Sequence, residues 1–342
     1  MKELEAMKAV YCYYGPEASA IVDLVDKIPK HGFFKVTTPI SEAEKLLRSL
    51  DLALPLKLPE TPQGFLNLDM IHEPIIERIR KVYNPIIPGL KDFPYHYPTH
   101  GSSEGIFHFI SYLRSIGTKK IYTLKGEYEG YGEYAKAIGI KTEEIDPNLT
   151  DINKLKRGIW FISNPSARDG NLILNDFIES LCNLNHQVAL DFAYVGSTKP
   201  HIFHADYKNI LAIFLSFSKT YGLFRSRIGF LFSKKPIPSL YANKWFNYAP
   251  ALLIALKAAE AIGPKGLYPK YRPLQKKIIT EINQKFSLEI KASDSWLLGH
   301  LTTRDAQNLS SSQLEIIVNY RRDSNYRFCL TPYFEKLEES KK

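Results

Sequence analysis

The chain has 342 residues, of which 44% are hydrophobic, 13% aromatic and 24% charged. This composition can supply a hydrophobic core, and it excludes an intrinsically disordered chain. The length exceeds that of one ordinary domain, so we expect one large domain with a smaller companion.

The net charge of +9 permits an anionic partner. The lysines and arginines are scattered, however, and a preference for anionic small molecules explains the charge equally well as a nucleic acid would. Three distant cysteines, Cys12, Cys182 and Cys329, form no paired framework, which favours a reducing cytoplasm. Glu3 and Glu5 stand where a signal peptide would be apolar, and no stretch approaches the roughly 20 apolar residues of a membrane span. We therefore expect a cytoplasmic protein with no membrane or nucleic-acid partner.

The first part of the chain lacks the regular hydrophobic patterns that the rest shows. Residues 1–60 are predicted to form an N-terminal arm, with a helix-like stretch at 41–50 followed by the proline-spaced segment LALPLKLPETPQG. We expect a large domain over residues 61–240 and a small C-terminal domain over residues 241–342.

Helical and strand patterns alternate through the predicted large domain. The predicted helices are GSSEGIFHFISYLRSIG, YGEYAKAIGI and NDFIESLCNLN, and the predicted strands are KKIYTLKGEY, RGIWFISNP, QVALDFAY, NILAIFLSFSK and RIGFLFSK. This alternation predicts an α/β fold with a mainly parallel central sheet covered by helices on both faces. Ligands of such sheets bind at the carboxyl ends of the strands.

The pattern changes after about residue 240. ALLIALKAAEAIG and LQKKIITEINQKF are predicted to be helices, and WLLGHL and YRFCL are predicted to be short strands. We therefore expect the C-terminal domain to be a smaller α+β unit.

The segment that best indicates chemistry is SFSKTYGLFRSRIG at residues 216–229. Lys219 follows an apolar strand, hydroxyl side chains flank it, and Arg227 comes eight residues later. A phosphorylated aldehyde cofactor needs such a set, because an amine can form an imine while hydroxyls and a guanidinium hold a phosphate. The alternative is a solvated lysine at the end of a core strand.

This segment resembles the fold-type I enzymes that use pyridoxal 5′-phosphate (PLP), specifically the class I/II aminotransferases, whose cofactor lysine lies in SxSKxxGxxxxRxG. The resemblance implies that Lys219 holds PLP as a Schiff base. It also implies cofactor contacts from Ser216, Ser218 and Arg227. The same family supplies the expected architecture, a PLP-transferase large domain with a small C-terminal domain.

The segment Asp191–Tyr194 resembles the D-x-A-Y of the same family. The resemblance implies that Asp191 keeps the pyridine nitrogen of PLP protonated and that the Tyr194 hydroxyl binds its phenolic oxygen. With Lys219, these residues form the predicted catalytic set. The alternative for Asp191 is a turn cap.

Two segments further upstream resemble cofactor-binding segments of the same family, in the same order along the chain. GSSEG at 101–105 resembles the phosphate loop at a helix N-terminus, which assigns Ser102, Ser103 and Glu104 to the cofactor, although a capping box would look similar. GEYEGY at 126–131 resembles the segment whose aromatic ring stacks on PLP, with Tyr128 as the candidate and a core tyrosine as the alternative.

The substrate contact is predicted downstream. Arg327, in YRFCL, resembles the arginine that pairs with the α-carboxylate of the substrate. Arg321 and Arg322 lie nearby, so a surface basic cluster is the alternative.

The sequence departs from the family at SNPSARDG, residues 163–170, where an Asn-Pro-Thr-Gly turn is usual. Matching by Asn-Pro selects Asn164 as the asparagine that binds the phenolic oxygen, whereas matching by Gly170 places Ala167 there. We prefer Asn164. The tyrosine that a neighbouring subunit usually donates has two candidates, Tyr95 and Tyr97.

Other site patterns have little support. His201-x-x-His204 and His96-x-x-x-His100 lack a nearby third ligand, so no metal site is expected. The G-x-x-x-x-G-K-[ST] motif of NTPases is absent from the sequence.

The resemblance implies a homodimeric aminotransferase that moves an amino group between an amino acid and a 2-oxo acid through Lys219. The departures at 166–169 motivate an alternative, a PLP-dependent decarboxylase, lyase or cyclising enzyme of the same fold. A non-catalytic binding protein on this fold is the third hypothesis. It would not require Lys219, Asp191 and Arg227 together.

Overall fold

The computed structural model describes residues 72–148, 152–223, 227–243, 249–331 and 333–334. The predicted N-terminal arm over 1–60, with its helix-like stretch at 41–50, lies outside the described residues.

The described part of the chain contains seven α-helices and eleven strands. The helices are α1 (His72–Tyr83), α2 (Ser102–Ser115), α3 (Gly130–Ala137), α4 (Asn175–Asn183), α5 (Ala249–Ala261), α6 (Tyr268–Phe286) and α7 (Ser311–Ile317). The strands are β1 (Tyr95–Thr99), β2 (Lys120–Leu124), β3 (Lys141–Ile145), β4 (Ile159–Ser163), β5 (Gln187–Phe192), β6 (Ile210–Ser216), β7 (Gly229–Ser233), β8 (Lys291–Ala292), β9 (Leu298–Thr302), β10 (Arg321–Arg322) and β11 (Asn325–Cys329). Short 3-10 helices lie at Leu90–Asp92, Ile152–Lys154, Pro238–Leu240, Asp305–Asn308 and Val318–Tyr320.

Seven strands form one sheet in the order β1-β7-β6-β5-β4-β2-β3. Strands β2 to β6 pair in parallel, and β7 runs antiparallel to both of its neighbours, β6 and β1. The prediction of a mainly parallel central sheet is confirmed. The antiparallel β7 follows from the short connection after β6, since a parallel neighbour would need a long crossover.

The sheet is covered on both faces, which explains its apolar strands. Along β4, Trp160 and Ile162 belong to one hydrophobic cluster, whereas Ile159 and Phe161 belong to another. Successive side chains of a strand point to opposite faces, so the two clusters lie on opposite sides of the sheet. Helices α1 and α4 contribute to the first cluster, and α2 and α3 contribute to the second.

Helix α2 brings its N-terminus to the end of β1. Gly101 precedes it with φ 86°, a left-handed backbone that glycine adopts without steric cost. The buried apolar residues of α2 recur at helical spacing and define the face of the helix that packs on the sheet: Ile106, Phe109, Ile110 and Leu113. The helix start is therefore held against the carboxyl edge of the parallel strands.

A second, antiparallel sheet of order β10-β11-β9-β8 lies in the C-terminal part. Helix α6 packs there, with Tyr271 stacked on Trp296 at a 4.3 Å ring-centroid distance. The buried amide of Gln275 donates to the carbonyl oxygens of Ser295 and Leu298 at 2.9 and 2.6 Å. This confirms a smaller α+β part, while the boundary at residues 240 and 241 stays a prediction.

Two strands of the large sheet have no counterpart in the sequence prediction. Strand β1 contains Pro98, which removes a backbone donor, but β1 is an edge strand that pairs only with β7. Strand β3, KTEEI, is the opposite edge, and only its last residue is buried. Edge strands have less apolar surface to bury, so their sequence pattern is weak.

We predict that Gly229→Ala destabilises the fold, because a Cβ at Gly229 would lie 2.5 Å from the Leu215 carbonyl oxygen and 2.8 Å from the Gly101 carbonyl carbon. Relieving such overpacking typically costs about 1–3 kcal/mol, measurable by thermal or urea denaturation.

The matched control is Gly132→Ala. Gly132 lies in α3, where an added Cβ meets nothing within 4 Å, and alanine there should gain about 0.5–1 kcal/mol. Equal stabilities for the two variants would contradict the close packing of Gly229, on β7, against the Leu215 carbonyl of β6.

Candidate active site

A cavity of about 400 Å³ opens at the carboxyl ends of β4, β5 and β6. Ten of the residues singled out in the sequence line it: Ser102, Ser103, Tyr128, Asp191, Tyr194, Ser216, Ser218, Lys219, Arg227 and Arg327. The other lining residues are Glu129, Tyr134, Ser163, Ala167 and Ala193. Residues that are far apart in the sequence thus meet at the edge where ligands of parallel sheets bind.

Asp191 is a buried carboxylate at the end of β5, with 3% of its surface exposed. Its Oδ2 accepts a hydrogen bond from the Tyr131 hydroxyl at 2.8 Å, and its Oδ1 accepts one from the Ala193 amide at 3.1 Å. Burial raises the pKa of Asp191 to about 6, although both donors and the charge of Lys219 lower it. The carboxylate therefore stays ionised at neutral pH and has a fixed orientation.

Lys219 follows β6 and shares the cavity with Asp191. Its Nζ lies 5.6 Å from the centroid of the Tyr194 ring. Tyr194 is buried and follows β5. An amine, a carboxylate and a phenol are thus brought together by the ends of two adjacent strands.

Arg227 lies at the N-terminus of α2. It has φ 46°, and its guanidinium donates to the His100 carbonyl at 2.9 Å and to the Ser218 hydroxyl at 3.4 Å. A Cβ on Gly101 would lie 2.8 Å from Arg227 Nη2, so glycine permits this approach. The helix N-terminus, the guanidinium and the side chains of Ser102 and Ser103 together make an anion cradle.

Tyr128 has its ring on the cavity wall. Its hydroxyl hydrogen-bonds those of Ser103 and Tyr134, each at 3.1 Å. The ring stands at 89° to the ring of Tyr131, with centroids 5.4 Å apart. Burial raises the pKa of the Tyr128 phenol, so the group is neutral over the working range of a protein.

Glu104 is not among the residues that line the cavity. Its Oε2 instead accepts from the His100 amide at 2.6 Å and from the Asn243 side chain at 3.3 Å. The carbonyl of the same His100 accepts from Arg227, so Glu104 supports the anion cradle indirectly, by fixing the His100 backbone.

Asn164 also lies away from the cavity, contrary to our preferred assignment. It is fully buried, its Nδ2 donates to the Ile173 carbonyl and its Oδ1 accepts from the Ile173 amide, both at 3.0 Å. Because its amide is committed to the backbone, it holds the loop together. Ala167 lines the cavity, as the alternative match by Gly170 implied.

Two residues of the site were not identified from the sequence. Tyr131, one helical turn after Tyr128, donates to Asp191 and is hydrogen-bonded to Ser163 at 2.8 Å. Its spacing from Tyr128 is the signal that could have found it. No pattern marks Glu127, which stands in a loop before α3.

Glu127 is a second buried carboxylate, with 6% of its surface exposed. It accepts hydrogen bonds from the Ser166 hydroxyl and, at 2.8 Å, from the Ala167 amide. Burial raises its pKa to about 7, while those two bonds and the charge of Arg168 lower it and Asp169 raises it further.

The second sheet contacts the cavity through two arginines. Arg327, on β11, donates from Nη1 to the Ala167 carbonyl oxygen. Arg322, on β10, forms an ion pair with Glu129 at 2.8 Å. The wall of the cavity therefore includes residues from both sheets.

The candidates for an intersubunit tyrosine differ in exposure. The buried Tyr97 accepts a hydrogen bond from the Ile237 amide at 2.9 Å within the same chain. Tyr95 is 37% exposed.

The two histidine pairs noted in the sequence do not form metal sites; His96 and His204 each lie beside a carboxylate instead. His96 contacts Glu73 at 2.9 Å, and His204 lies 3.7 Å from Asp206. In the parts of the chain that the structure covers, no group of three or more histidine, cysteine, aspartate or glutamate side chains could hold a metal ion. The helices in those same parts are all too short or too polar to cross a membrane.

Comparison with known proteins agrees with this arrangement. Residues 97–264 match the model of the family "aminotransferase class I and II". A histidinol-phosphate aminotransferase of Thermotoga neapolitana is 30% identical over 144 residues, which is 39% of this chain and 41% of that protein. The chain spans 36% to 41% of the length of the curated relatives it matches.

Solved structures show the same fold at low identity. An aminotransferase from Staphylococcus aureus superposes with a TM-score of 0.62 and 15% identity, covering 94% of this chain and 88% of that one. An L-threonine-O-3-phosphate decarboxylase from Porphyromonas gingivalis superposes with a TM-score of 0.54 and 17% identity, covering 80% and 95%.

The sheet order, with its cavity at the strand ends, is the fold of the fold-type I PLP-dependent proteins. Within that class, residues 97–264 of this chain match the class I/II aminotransferase family. PLP is the cofactor of this family.

We predict that Glu127 makes the cofactor-free protein less stable as the pH rises from about 4.5 to 7. The pKa of Glu127 is about 7 in the folded state against an ordinary 4.5, so the folded protein holds a proton that the unfolded chain releases in this window. The full difference amounts to at most about 3 kcal/mol. Asp191 acts in the same direction between 3.8 and about 6.

Urea unfolding of the wild type and of Glu127→Gln at a series of pH values tests this. Between pH 6 and 7, where Asp191 contributes little, the wild type should lose stability relative to the variant. Glu133→Gln, an exposed change on α3, serves as control and should retain the wild-type dependence. An unchanged slope in Glu127→Gln would contradict the raised pKa.

Proposed function

We propose that the protein is a PLP-dependent aminotransferase that moves an amino group between an amino acid and a 2-oxo acid. The observation that carries the proposal is the meeting of the Lys219 amine, the Asp191 carboxylate and the anion cradle at Arg227 in one cavity. A class I/II aminotransferase needs these three groups, and the family match covers all of them.

The cavity fits PLP in charge and shape. Arg227, Ser102 and Ser103 at the N-terminus of α2 would hold the phosphate, since backbone N–H groups and a guanidinium both favour an anion. The hydroxyls of Ser216 and Ser218 line the same side of the site. Gly101 leaves the space that a Cβ would fill beside the guanidinium.

Three further side chains would hold the cofactor ring. Asp191 is placed to pair with the pyridine nitrogen, because it is ionised at neutral pH and already fixed by Tyr131. The phenol of Tyr194 would bind the phenolic oxygen, and the ring of Tyr128 would cover one face and exclude water from it. Matching by Gly170 would put Ala167 where the family has asparagine, which would remove one hydrogen-bond donor to that oxygen.

When bound, PLP supplies an aldehyde carbon for amines and a ring that accepts electrons from the substrate Cα. Lys219 would contribute a primary amine that can anchor the aldehyde of the cofactor, and its Nζ would hold and move a proton. Asp191 would place a negative charge beside the ring nitrogen and so favour its protonated form.

Arg327 would bind the α-carboxylate of the amino acid and of the 2-oxo acid. Its guanidinium is a planar fork of donors that suits a carboxylate, and it lines the cavity from the second sheet. Both substrates carry this carboxylate, so one arginine serves both halves of the reaction.

We further propose a cytoplasmic homodimer with domains at residues 61–240 and 241–342. Family members usually build their active sites between two subunits, and the exposed Tyr95 supports a shared site. Analytical ultracentrifugation would give twice the mass of one chain for the dimer.

A second candidate is another PLP reaction on the same site, such as decarboxylation. Ala167 replaces the expected asparagine on the cavity wall, and one similar solved structure is a decarboxylase. Incubation with amino acids separates the two, because transamination yields a 2-oxo acid, whereas decarboxylation releases carbon dioxide without one.

We predict that Lys219→Ala abolishes both the absorbance of covalently held PLP near 400 nm, about the usual position for this linkage, and amino-group transfer. The loss follows because no other amine lines the cavity among the described residues. Lys208→Ala, an exposed lysine change, serves as control and should keep both. Turnover by Lys219→Ala comparable with that of the control would refute the proposal.

We predict that Asp191→Asn lowers kcat by about a hundredfold or more, because a neutral amide cannot hold the charge that keeps the ring nitrogen protonated. The variant should still bind PLP at Lys219, as monitored by absorbance. Steady-state kinetics measures the loss, and a kcat within a few-fold of wild type would contradict this role for Asp191.

A further inference from the structure

Side chains from two different parts of the fold hold the backbone of Ala167 at both of its polar atoms. Its N–H donates to Glu127 Oε2 at 2.8 Å, and its carbonyl oxygen accepts from Arg327 Nη1. Glu127 belongs to the loop before α3, and Arg327 belongs to β11 of the second sheet. The backbone of one residue therefore connects a buried carboxyl group to an arginine on the cavity wall.

The carboxylate in this chain has a defined orientation. Ser166 donates its hydroxyl to Glu127 Oε1, and the same hydroxyl accepts from the Arg168 amide at 3.2 Å. The Arg168 guanidinium is occupied by Asp169 at 2.8 Å. With each carboxylate oxygen bound by a different donor, Glu127 can hold the backbone at residues 166 and 167 in one conformation.

This anchor lies where the chain departs from its family. Matching by Gly170 puts residues 167–170 in place of the usual Asn-Pro-Thr-Gly turn, so the segment needs another constraint to set its backbone. Glu127 provides one from the interior, where water does not weaken its hydrogen bonds. The constraint passes to Arg327 because the guanidinium is rigid and planar, and fixing one of its donors restricts the direction of the others.

We propose that Glu127 is a positioning residue that sets the guanidinium of Arg327 through the backbone of Ala167, and so governs the affinity of the site for the substrate carboxylate. This inference rests on the proposed function only in taking Arg327 as the carboxylate-binding group. Glu127 itself does not line the cavity.

Binding of 2-oxo acids tests the proposal without turnover. Isothermal titration of PLP-loaded protein with pyruvate and with 2-oxoglutarate should give a Kd about tenfold higher in Glu127→Gln, because the Gln amide presents one acceptor oxygen to two donors. Glu133→Gln should bind as the wild type does. An unchanged Kd in Glu127→Gln, or no binding of either acid by the wild type, would overturn the proposal.

A double-mutant cycle with Arg327→Lys identifies the path. If Glu127 acts through Arg327, Glu127→Gln adds less than about twofold to the Kd of Arg327→Lys, since contacting residues are not additive. Full additivity of the two changes would overturn the proposal, because it would mean that Glu127 acts on the ligand independently of Arg327.

Kinetics distinguishes this inference from the proposed function. In an active wild type, Glu127→Gln should raise the KM for the amino acid about tenfold and change kcat less than about threefold. A fall in kcat alone would overturn the positioning role. A wild type that binds 2-oxo acids in a Glu127-dependent way but forms no 2-oxo acid from amino acids would refute the aminotransferase and leave this inference standing.

If Glu127→Gln does not fold, as judged by circular dichroism, Ser166→Ala carries the test. It removes one of the two hydrogen bonds on the carboxylate and leaves the Ala167 amide in place, so the Kd should rise by a smaller factor of about three. No change in a folded Ser166→Ala would then overturn the proposal.

Discussion

The site depends on the burial of one charged group, the carboxylate of Asp191, at the end of a strand that is covered on both faces. A buried carboxylate is stable only when its oxygens are hydrogen-bonded, and the Tyr131 hydroxyl and the Ala193 amide supply those bonds. Tyr131 in turn is held by α3, which packs on the sheet. The packing of α3 and the charge in the cavity are therefore two parts of the same arrangement.

The cationic side of the cavity also depends on how closely the surrounding elements pack. Arg227 reaches the N-terminus of α2 because Gly101 has no side chain, and Gly229 lets the start of β7 approach the backbone of Gly101. A guanidinium and a helix N-terminus both attract an anion. Their juxtaposition supports the proposal that a phosphate binds there.

The sequence predicted the fold and most of the cavity, because buried parallel strands and a spaced Lys–Arg motif are local signals. It did not predict β1 and β3, which are edge strands with little apolar pattern. It also favoured Asn164 over Ala167, since Asn-Pro is conspicuous in the sequence whereas the commitment of the Asn164 amide to Ile173 depends on loop geometry. Glu127 escaped notice for the same reason: its burial is a property of tertiary packing.

Arg322 on β10 of the smaller sheet forms an ion pair with Glu129, which lines the cavity from the loop before α3. Half of the Glu129 side chain is open to solvent, so dissolved salt screens this attraction much more than it screens the interior contacts. This contact between the smaller sheet and the cavity wall should therefore weaken as the ionic strength rises. Buried hydrogen bonds between the same two parts of the chain, such as the one that joins the Ser197 and Ser295 hydroxyls at 2.7 Å, should change little.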